Sequence, residues 1–273
     1  MTLRRFDKHN SASKVSKTQY LCFQTLIIPR KRESFKPAQW DMTEQVDAAT
    51  DELDESDDFQ SFLTDIRNGH PPATGEFRTI PDMYTHVLRQ VDAGYPGRLQ
   101  RHDETAVNTS LLMLLQAITN TALAPLAEWR PTKIHFKATF MTLAGGAKRE
   151  MVAATDGQLQ SKTTHEVKAI VECKAHERGD DDTTIAMQEA ALFVAWIKDF
   201  PQSPETRFMV SQDAMQLYIT VAVTPIAWRD FLIRSRTERK RSFMQLYRFG
   251  PWDLDDADQI KKVAPILLAI TKL

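Results

Sequence analysis

Two short runs, Ala154-Thr155-Asp156-Gly157-Gln158-Leu159 and Ile170-Val171-Glu172-Cys173-Lys174-Ala175, decide the reading of this chain. The stretch from Val167 to Cys173 is apolar except at Lys168 and Glu172, which predicts a strand covered on both faces over most of its length. Glu172 and Lys174 stand two residues apart, so on a strand their side chains leave the same face. A carboxylate and an ammonium at the end of such a strand are costly to bury without partners. Asp156 is the expected partner. If the connection between the runs turns about Thr164, positions 156 and 172 are equidistant from it, and the two carboxylates face each other with Cβ atoms about 5 Å apart. Like charges so placed favour a divalent cation between them. Hard oxygen ligands suit Mg²⁺ or Mn²⁺, and a neighbouring lysine can position a water or stabilise charge growing on a phosphate.

Outward from these runs the periodicity alternates between helix and strand. Pro81 fits a first helical residue, with Met83, Val87, Leu88 and Val91 at helical spacing and Gly94 as the stop. Asp103 fits an N-cap for a second helix through Val107, Leu111, Leu114, Leu115 and Ile118 to Ala122. Strands are expected at Ile134 to Leu143 and, after the Gly145-Gly146 turn, at Arg149 to Leu159. Thr184 to Lys198 reads as a helix, and Phe208 to Val210 with Leu217 to Val223 as a strand pair flanking a turn at Ser211-Gln212-Asp213. Helices at Ala227 to Arg236 and Ala257 to Ile270 bracket a short strand at Phe243 to Phe249. The series implies an α/β fold with a mixed central sheet flanked by helices.

The chain has 273 residues, 42% hydrophobic and 26% charged, with only 9 Gly and 13 Pro, which excludes global disorder and a collagen-like chain. Its apolar runs fall short of a membrane span, so no membrane partner is expected. Two cysteines, Cys22 and Cys173, exclude a disulfide-dense scaffold and suit a reducing, intracellular compartment. Charge is unevenly spread. Met1 to Trp40 carries nine Lys or Arg against two acids, whereas Asp41 to Ile66 carries ten acids and no Lys or Arg. With few large apolar residues, residues 1–66 read as a charged, largely disordered N-terminal tail ahead of a folded domain over 67–273. Pro29-Arg30-Lys31-Arg32 matches a nuclear-import patch or a solvated arm, which leaves a nuclear or cytoplasmic location, and the Ser-containing, acid-poor start also matches a mitochondrial presequence.

Asp156, then Glu172-Cys173-Lys174, then Gln188 in the following helix resembles the PD-(D/E)XK nuclease superfamily. More narrowly, Thr155-Asp156-Gly157, Val171-Glu172-Cys173-Lys174-Ala175 and Met187-Gln188-Glu189-Ala190-Ala191 with Trp196-Ile197 are similar to nuclease-like domains common in filamentous fungi. The likeness spans Pro81 to Leu273, and its central stretch carries the motifs. It implies a restriction-endonuclease-like αβββαβ core that hydrolyses phosphodiester bonds of nucleic acid, DNA ahead of RNA, with Mg²⁺ or Mn²⁺. By position it implies Glu104, Asp156 and Glu172 as metal ligands, Lys174 as the catalytic lysine, and Gln188 as an accessory catalytic residue. Thr155 stands where the superfamily name has proline.

Each residue also has a plainer role. Asp156-Gly157 suits a bend, Glu172 and Lys174 a cross-strand ion pair, Glu104 the positive end of a helix, and Gln188 a buried amide. Asp180-Asp181-Asp182 fits a solvated loop capping a helix, and His176 is a minor candidate for the site. Basic residues Arg229, Arg234, Arg236, Arg239, Lys240 and Arg241, with Trp228 and Phe231 nearby, form a candidate nucleic-acid surface or a solvated helix face. A nuclease fold kept as a binding or interaction module without turnover is the alternative function.

Overall fold

An edge strand and two acidic helices open the fold where the charge pattern predicts a tail. The computed structural model describes residues 10–69, 75–92, 104–142, 144–146, 148–179, 182–202, 204–234 and 242–273. In chain order its elements are β1 (Asn10–Ser11), α1 (Lys17–Cys22), β2 (Thr25–Arg30), α2 (Thr43–Glu55), α3 (Asp57–Asn68), α4 (Ile80–Asp92), α5 (Glu104–Asn120), β3 (Ala127–Arg130), β4 (His135–Thr142), β5 (Lys148–Ala154), β6 (Gly157–Ser161), β7 (Val167–Lys174), α6 (Asp182–Asp199), β8 (Thr206–Asp213), β9 (Gln216–Val223), α7 (Ile226–Arg234), β10 (Met244–Asp253) and α8 (Ala257–Ile270).

Seven strands form the main sheet in the order β2-β10-β9-β8-β7-β6-β3. It is mixed: β3, β6 and β7 run antiparallel to their neighbours in turn, β7 and β8 are parallel, and β2 joins β10 in parallel. A second sheet, β1-β5-β4, lies across α6. This explains the composition of α6, in which Ala190 to Ile197 are all buried rather than one face alone. One side packs on the main sheet, and the other meets β4 and β5, where Phe136 stacks on Trp196 with ring centroids 5.8 Å apart. A helix apolar all round is one enclosed all round. The opposite face of the main sheet is covered by α5 and α8 with α2, α3 and α4, so the hydrophobic core divides into two clusters, one on each face.

The expected disordered tail is corrected for residues 10–66; residues 1–9 lie outside the described residues. Phe23, Met42, Ala49, Leu53, Phe59, Phe62 and Leu63 are each at most 1% exposed, so this segment supplies core. Its acids lie on the outer faces of two amphipathic helices, and a narrow stripe of Val46, Ala49 and Leu53 in α2 turns inward. Several charges meet partners on the last helix and its exit: Glu52 with Lys272 at 2.7 Å, Asp54 with Lys261 at 3.3 Å, and Arg67 with Asp258 at 2.7 Å. The basic patch is likewise built in. Pro29 and Arg30 end β2, and Arg32 donates to the Pro251 carbonyl at 3.0 Å and to Gln259.

Three strand expectations also change. Arg149 to Leu159 is two strands in different sheets, joined at Thr155-Asp156. There Thr155 N–H donates to the Ile134 carbonyl and its hydroxyl accepts from Ile134 N–H at 3.1 Å. Ile134 to Leu143 falls in the small sheet, and the main sheet takes β3 instead, a four-residue strand too short and polar to announce itself. Ser211-Gln212-Asp213 continues β8; the turn comes after it, at Ala214, where φ is 51°. Gly157 lets β6 enter the main sheet, since a Cβ there would stand 2.9 Å from the Arg130 carbonyl. The helix expectations at Pro81, Asp103 and Ala257 match α4, α5 and α8, although Gly94 and Asp103 themselves lie outside the described residues.

Candidate functional site

The β6 to β7 register aligns Gly157 with Val171 and Gln158 with Ile170, the pairing that a connection about Thr164 requires. Asp156 therefore sits at the corner where the chain passes from the small sheet to the large one, across from Glu172. Its backbone N–H donates to the Val171 carbonyl at 3.0 Å, and its Oδ2 accepts from Cys173 N–H at 3.0 Å. On α5, one turn beyond Glu104, Asn108 donates to the Asp156 carbonyl at 3.0 Å. Strand and helix together fix the aspartate.

Glu172 is 2% exposed and Lys174 8%. The Lys174 ammonium donates to Glu172 Oε1 at 2.6 Å and to the Cys173 carbonyl at 3.0 Å, and lies 3.6 Å from Glu104 Oε1. Gln188, from the facing turn of α6, donates to the same Glu172 Oε1. On the solvent side, Lys133 reaches Asp156 Oδ1 at 3.1 Å. All five residues expected from the sequence, Glu104, Asp156, Glu172, Lys174 and Gln188, are thus tied into one cluster. His176 is exposed in the segment after β7.

Burial pushes the Glu172 carboxyl up to about 8; Lys174 opposes the shift and Asp156 reinforces it. Burial pulls Lys174 down, but Glu172, Glu104 and Asp156 outweigh it and hold the lysine above its ordinary value, as an ammonium. The hydrogen bond and charge of Asp156 likewise raise Lys133. Burial drives the Cys173 thiol well up, which leaves it unreactive. Because burial pushes Glu172 up to about 8, two other carboxylates and two ammoniums balance below that pH, and one formal negative charge appears at the end of the sheet as Glu172 ionises. As the side chains lie, no group of three Asp, Glu, His or Cys among the described residues encloses an ion. The donor set itself, two or three carboxylates of which one is deeply buried, has the chemistry for a hard divalent cation once the lysines give way.

Sequence reasoning missed Asn108, Lys133 and a second polar cluster beside the first. Asn108 was legible as the residue one helical turn past Glu104; Lys133, on a connecting segment, carries no periodic signal. The second cluster lies on the same sheet face. Glu172 pairs in register with Ser211, and Ser211 with Tyr218. Arg178 joins Glu189 at 2.6 Å, donates to Ser211 at 3.0 Å, pairs with Asp213, and lies over the Tyr218 ring with its guanidinium carbon 4.3 Å from the centroid. Arg248 adds Asp182 and Glu189. Burial raises Glu189, but Arg178 and Arg248 more than reverse this and hold it below its ordinary value. Burial lifts Asp213 to about 7 against the pull of Arg178. Asp182 of the acidic triplet is thus an ion-pair partner, while Asp180 and Asp181 lie outside the described residues.

The candidate nucleic-acid surface around α7 is narrower than its sequence suggests. Trp228 is buried, with its indole N–H donating to the Phe23 carbonyl at 2.8 Å, and Phe231 is buried beside it, so neither ring is presented for stacking. Arg234 pairs with Asp230 at 3.3 Å, and Arg236, Arg239, Lys240 and Arg241 lie outside the described residues. Among the described residues no helix is long and apolar enough to cross a membrane. Compared with known protein families and with curated proteins, the chain matches none.

Proposed function

We propose that the chain is a metal-dependent nuclease hydrolysing phosphodiester bonds of nucleic acid, with DNA as the first substrate to test. One observation carries the reading: Glu172 and Lys174 at the end of β7, in contact at 2.6 Å, with Asp156 anchored to the same strand through Cys173 N–H. The succession α5-β3-β6-β7-α6-β8 supports it, because it follows the αβββαβ order, with the β4–β5 hairpin leaving the main sheet between β3 and β6.

In this reading Asp156 and Glu172 hold Mg²⁺ or Mn²⁺, with Glu104 at the rim. Such an ion would polarise a phosphate oxygen and lower the pKa of a bound water. The chain's own groups do the positioning. Gln188 fixes the Glu172 carboxylate, while Asn108 and Cys173 N–H fix Asp156. Lys174, kept as an ammonium, aligns the attacking water or meets the charge that grows on the phosphate. The five side chains implied by sequence thereby take complementary parts.

A nuclease-fold binding module without turnover is favoured by a different observation. Glu172 Oε1 is already bonded to Lys174 and Gln188, and Asp156 Oδ1 to Lys133, so the acids have partners without an ion. Incubating the protein with single- and double-stranded DNA and RNA, in Mg²⁺ and in chelator, separates the two. Metal-dependent products that disappear in Asp156→Asn support the nuclease; binding without products from any substrate supports the module.

A further inference from the structure

Lys133 stands on the solvent side of the acidic cluster, on the segment between β3 and β4. Its ammonium donates to Asp156 Oδ1 at 3.1 Å. That bond and the charge of Asp156 raise the lysine most, burial takes part of the rise back, and Glu172 and Glu104 add to it, so all three carboxylates act on one ammonium. The Lys174 side chain reaches the same acids from within at 11% exposure, whereas that of Lys133 is 57% exposed. The base of Lys133 is held more firmly than its tip. Before it, the Thr132 hydroxyl accepts from Nε2 of the buried Gln158 at 3.0 Å. After it, Ile134 and Thr155 exchange two bonds, at 3.0 and 3.1 Å. Thr155 immediately precedes Asp156 and Gln158 follows shortly after, so the backbone under Lys133 is tied to both sides of the aspartate. Arg130, at the end of β3, is engaged by Glu128 at 2.6 Å.

An exposed ion pair contributes little stability, so the anchoring serves the position of the lysine more than the strength of the fold. We propose that Lys133 couples the metal to the substrate: it occupies Asp156 in the free protein and, once an ion takes that carboxylate, binds a phosphate oxygen of the nucleic-acid strand. This role rests on the nuclease reading of the same site. Charge supports it. With Glu172 ionised, the three carboxylates and two ammoniums carry one formal negative charge, and a divalent ion turns that into one positive charge. A phosphodiester brings the single negative charge that restores the balance. The displaced ammonium loses its carboxylate and faces a like charge, and a compact point charge on a flexible stem turns readily to an anion held at the same acids. Lys133 therefore opposes the metal alone and favours metal and strand together.

The test measures binding, not turnover. Full-length chains that all carry Lys174→Ala, whose slow turnover leaves the strand intact during a titration, are compared with Lys133 unchanged, with Lys133→Met and with Lys133→Arg. A thermal melt establishes that each is folded, and electrophoresis that the DNA is uncut. Mn²⁺ affinity is read by calorimetry without strand, and affinity for a DNA oligonucleotide, single- and double-stranded, by fluorescence anisotropy in chelator and in saturating Mn²⁺. With Lys133 present, Mn²⁺ should tighten strand binding at least about tenfold, and by linkage the strand tightens Mn²⁺ binding equally. Lys133→Met should bind Mn²⁺ alone up to about fivefold more tightly, keep its strand affinity in chelator, and bind the strand in Mn²⁺ at least about fivefold more weakly. Lys133→Arg keeps a phosphate-binding cation and should retain most of the coupling. A lysine that merely braces the site would, when removed, weaken Mn²⁺ and strand binding together. One that is only a solvated cation would lower strand affinity equally with and without Mn²⁺. Either result overturns the inference, as does strand binding that Mn²⁺ does not tighten. A wild type that cleaves in Mg²⁺ beside a coupling that survives Lys133→Met removes the role of Lys133 alone. A coupling lost in Lys133→Met beside a wild type that never cleaves removes turnover alone.

Discussion

The two polar clusters on the α6 face of the main sheet use the same kinds of charge in opposite ways. At the end of β7, lysines answer carboxylates: Lys174 meets Glu172 and Glu104, and Lys133 meets Asp156. One strand further on, arginines answer them: Arg178 and Arg248 share Glu189, with Asp213 and Asp182 closing the set. An ammonium is a point charge on a flexible stem and can leave; a guanidinium is a fork locked by several bonds. Exposure does not divide them: Glu104 and Lys133 in the first and Asp182 in the second are about half exposed, while Glu172, Lys174, Glu189 and Asp213 are closed off. The first cluster is built to exchange partners, and the second to hold a frame around α6, β8 and β10.

The sharpest way to break this contrast is to remove one acid from each cluster. Glu189→Gln leaves two buried guanidiniums without their shared carboxylate and should cost about 3–5 kcal/mol in urea unfolding. Glu172→Gln puts a neutral amide in place of a carboxyl whose uncharged form the fold favours, and should leave stability within about 1 kcal/mol of wild type or raise it. The pair Glu172→Gln with Lys174→Met should likewise stay within about 1 kcal/mol of wild type. Equal losses at Glu189 and Glu172 would mean that the β7 cluster is as structural as its neighbour.

A pH series sharpens the same point with a smaller effect. The Glu172 carboxyl moves from an ordinary 4.5 to about 8 in the fold, so the fold favours its protonated form. That contribution is complete below pH 4.5 and is lost as pH rises through 8. Asp213 acts in the same direction up to about 7, so the Glu172→Gln, Lys174→Met pair serves as the reference that isolates Glu172. In chelator, wild type should lose stability relative to that pair between pH 4.5 and 8, and Mg²⁺ should abolish the loss. A flat difference contradicts the assignment.

The smallest effect is expected at Lys133. The Lys133 side chain is more than half exposed and its charge is screened, so its bond to Asp156 is worth less than about 1 kcal/mol. Lys133→Met should tighten Mn²⁺ binding by no more than about fivefold, measured by calorimetry, and high salt should shrink the gain. Weaker Mn²⁺ binding in this variant would mean that Lys133 organises the acids instead of competing with the ion.

Much of this architecture was legible because local pattern and tertiary setting agree. The apolar run of β7, the α5 stripe and the bounds of α8 follow from periodicity, and the placement of Asp156 against Glu172 follows from counting residues about Thr164. What failed did so for identifiable reasons. In α2 and α3 the charge density of a solvent face hid a narrow apolar stripe, so a structural layer read as a tail. Ser211, Gln212 and Asp213 have turn composition but lie in a central strand because Arg178 and neighbouring backbone groups satisfy part of their polarity. Arg178, Glu189 and Arg248 are far apart in sequence, and no spacing rule links them. The family likeness rested on Asp156, Glu172, Lys174 and Gln188, the residues whose partners lie on adjacent elements.

Lys174 tests the central claim most directly. In a hydrolytic site its ammonium acts mainly when charge grows on the phosphate, so its loss should lower turnover far more than binding. Cleavage of DNA in Mg²⁺ and affinity in chelator should be measured side by side for wild type, Lys174→Ala and Lys174→Arg. The nuclease account predicts metal-dependent products from wild type, at least a hundredfold slower cleavage by both variants, about 2.7 kcal/mol of barrier, and affinities within a few-fold of one another. Equal cleavage by all three proteins, or none by wild type beside an affinity that tracks the Lys174 substitution, would contradict it.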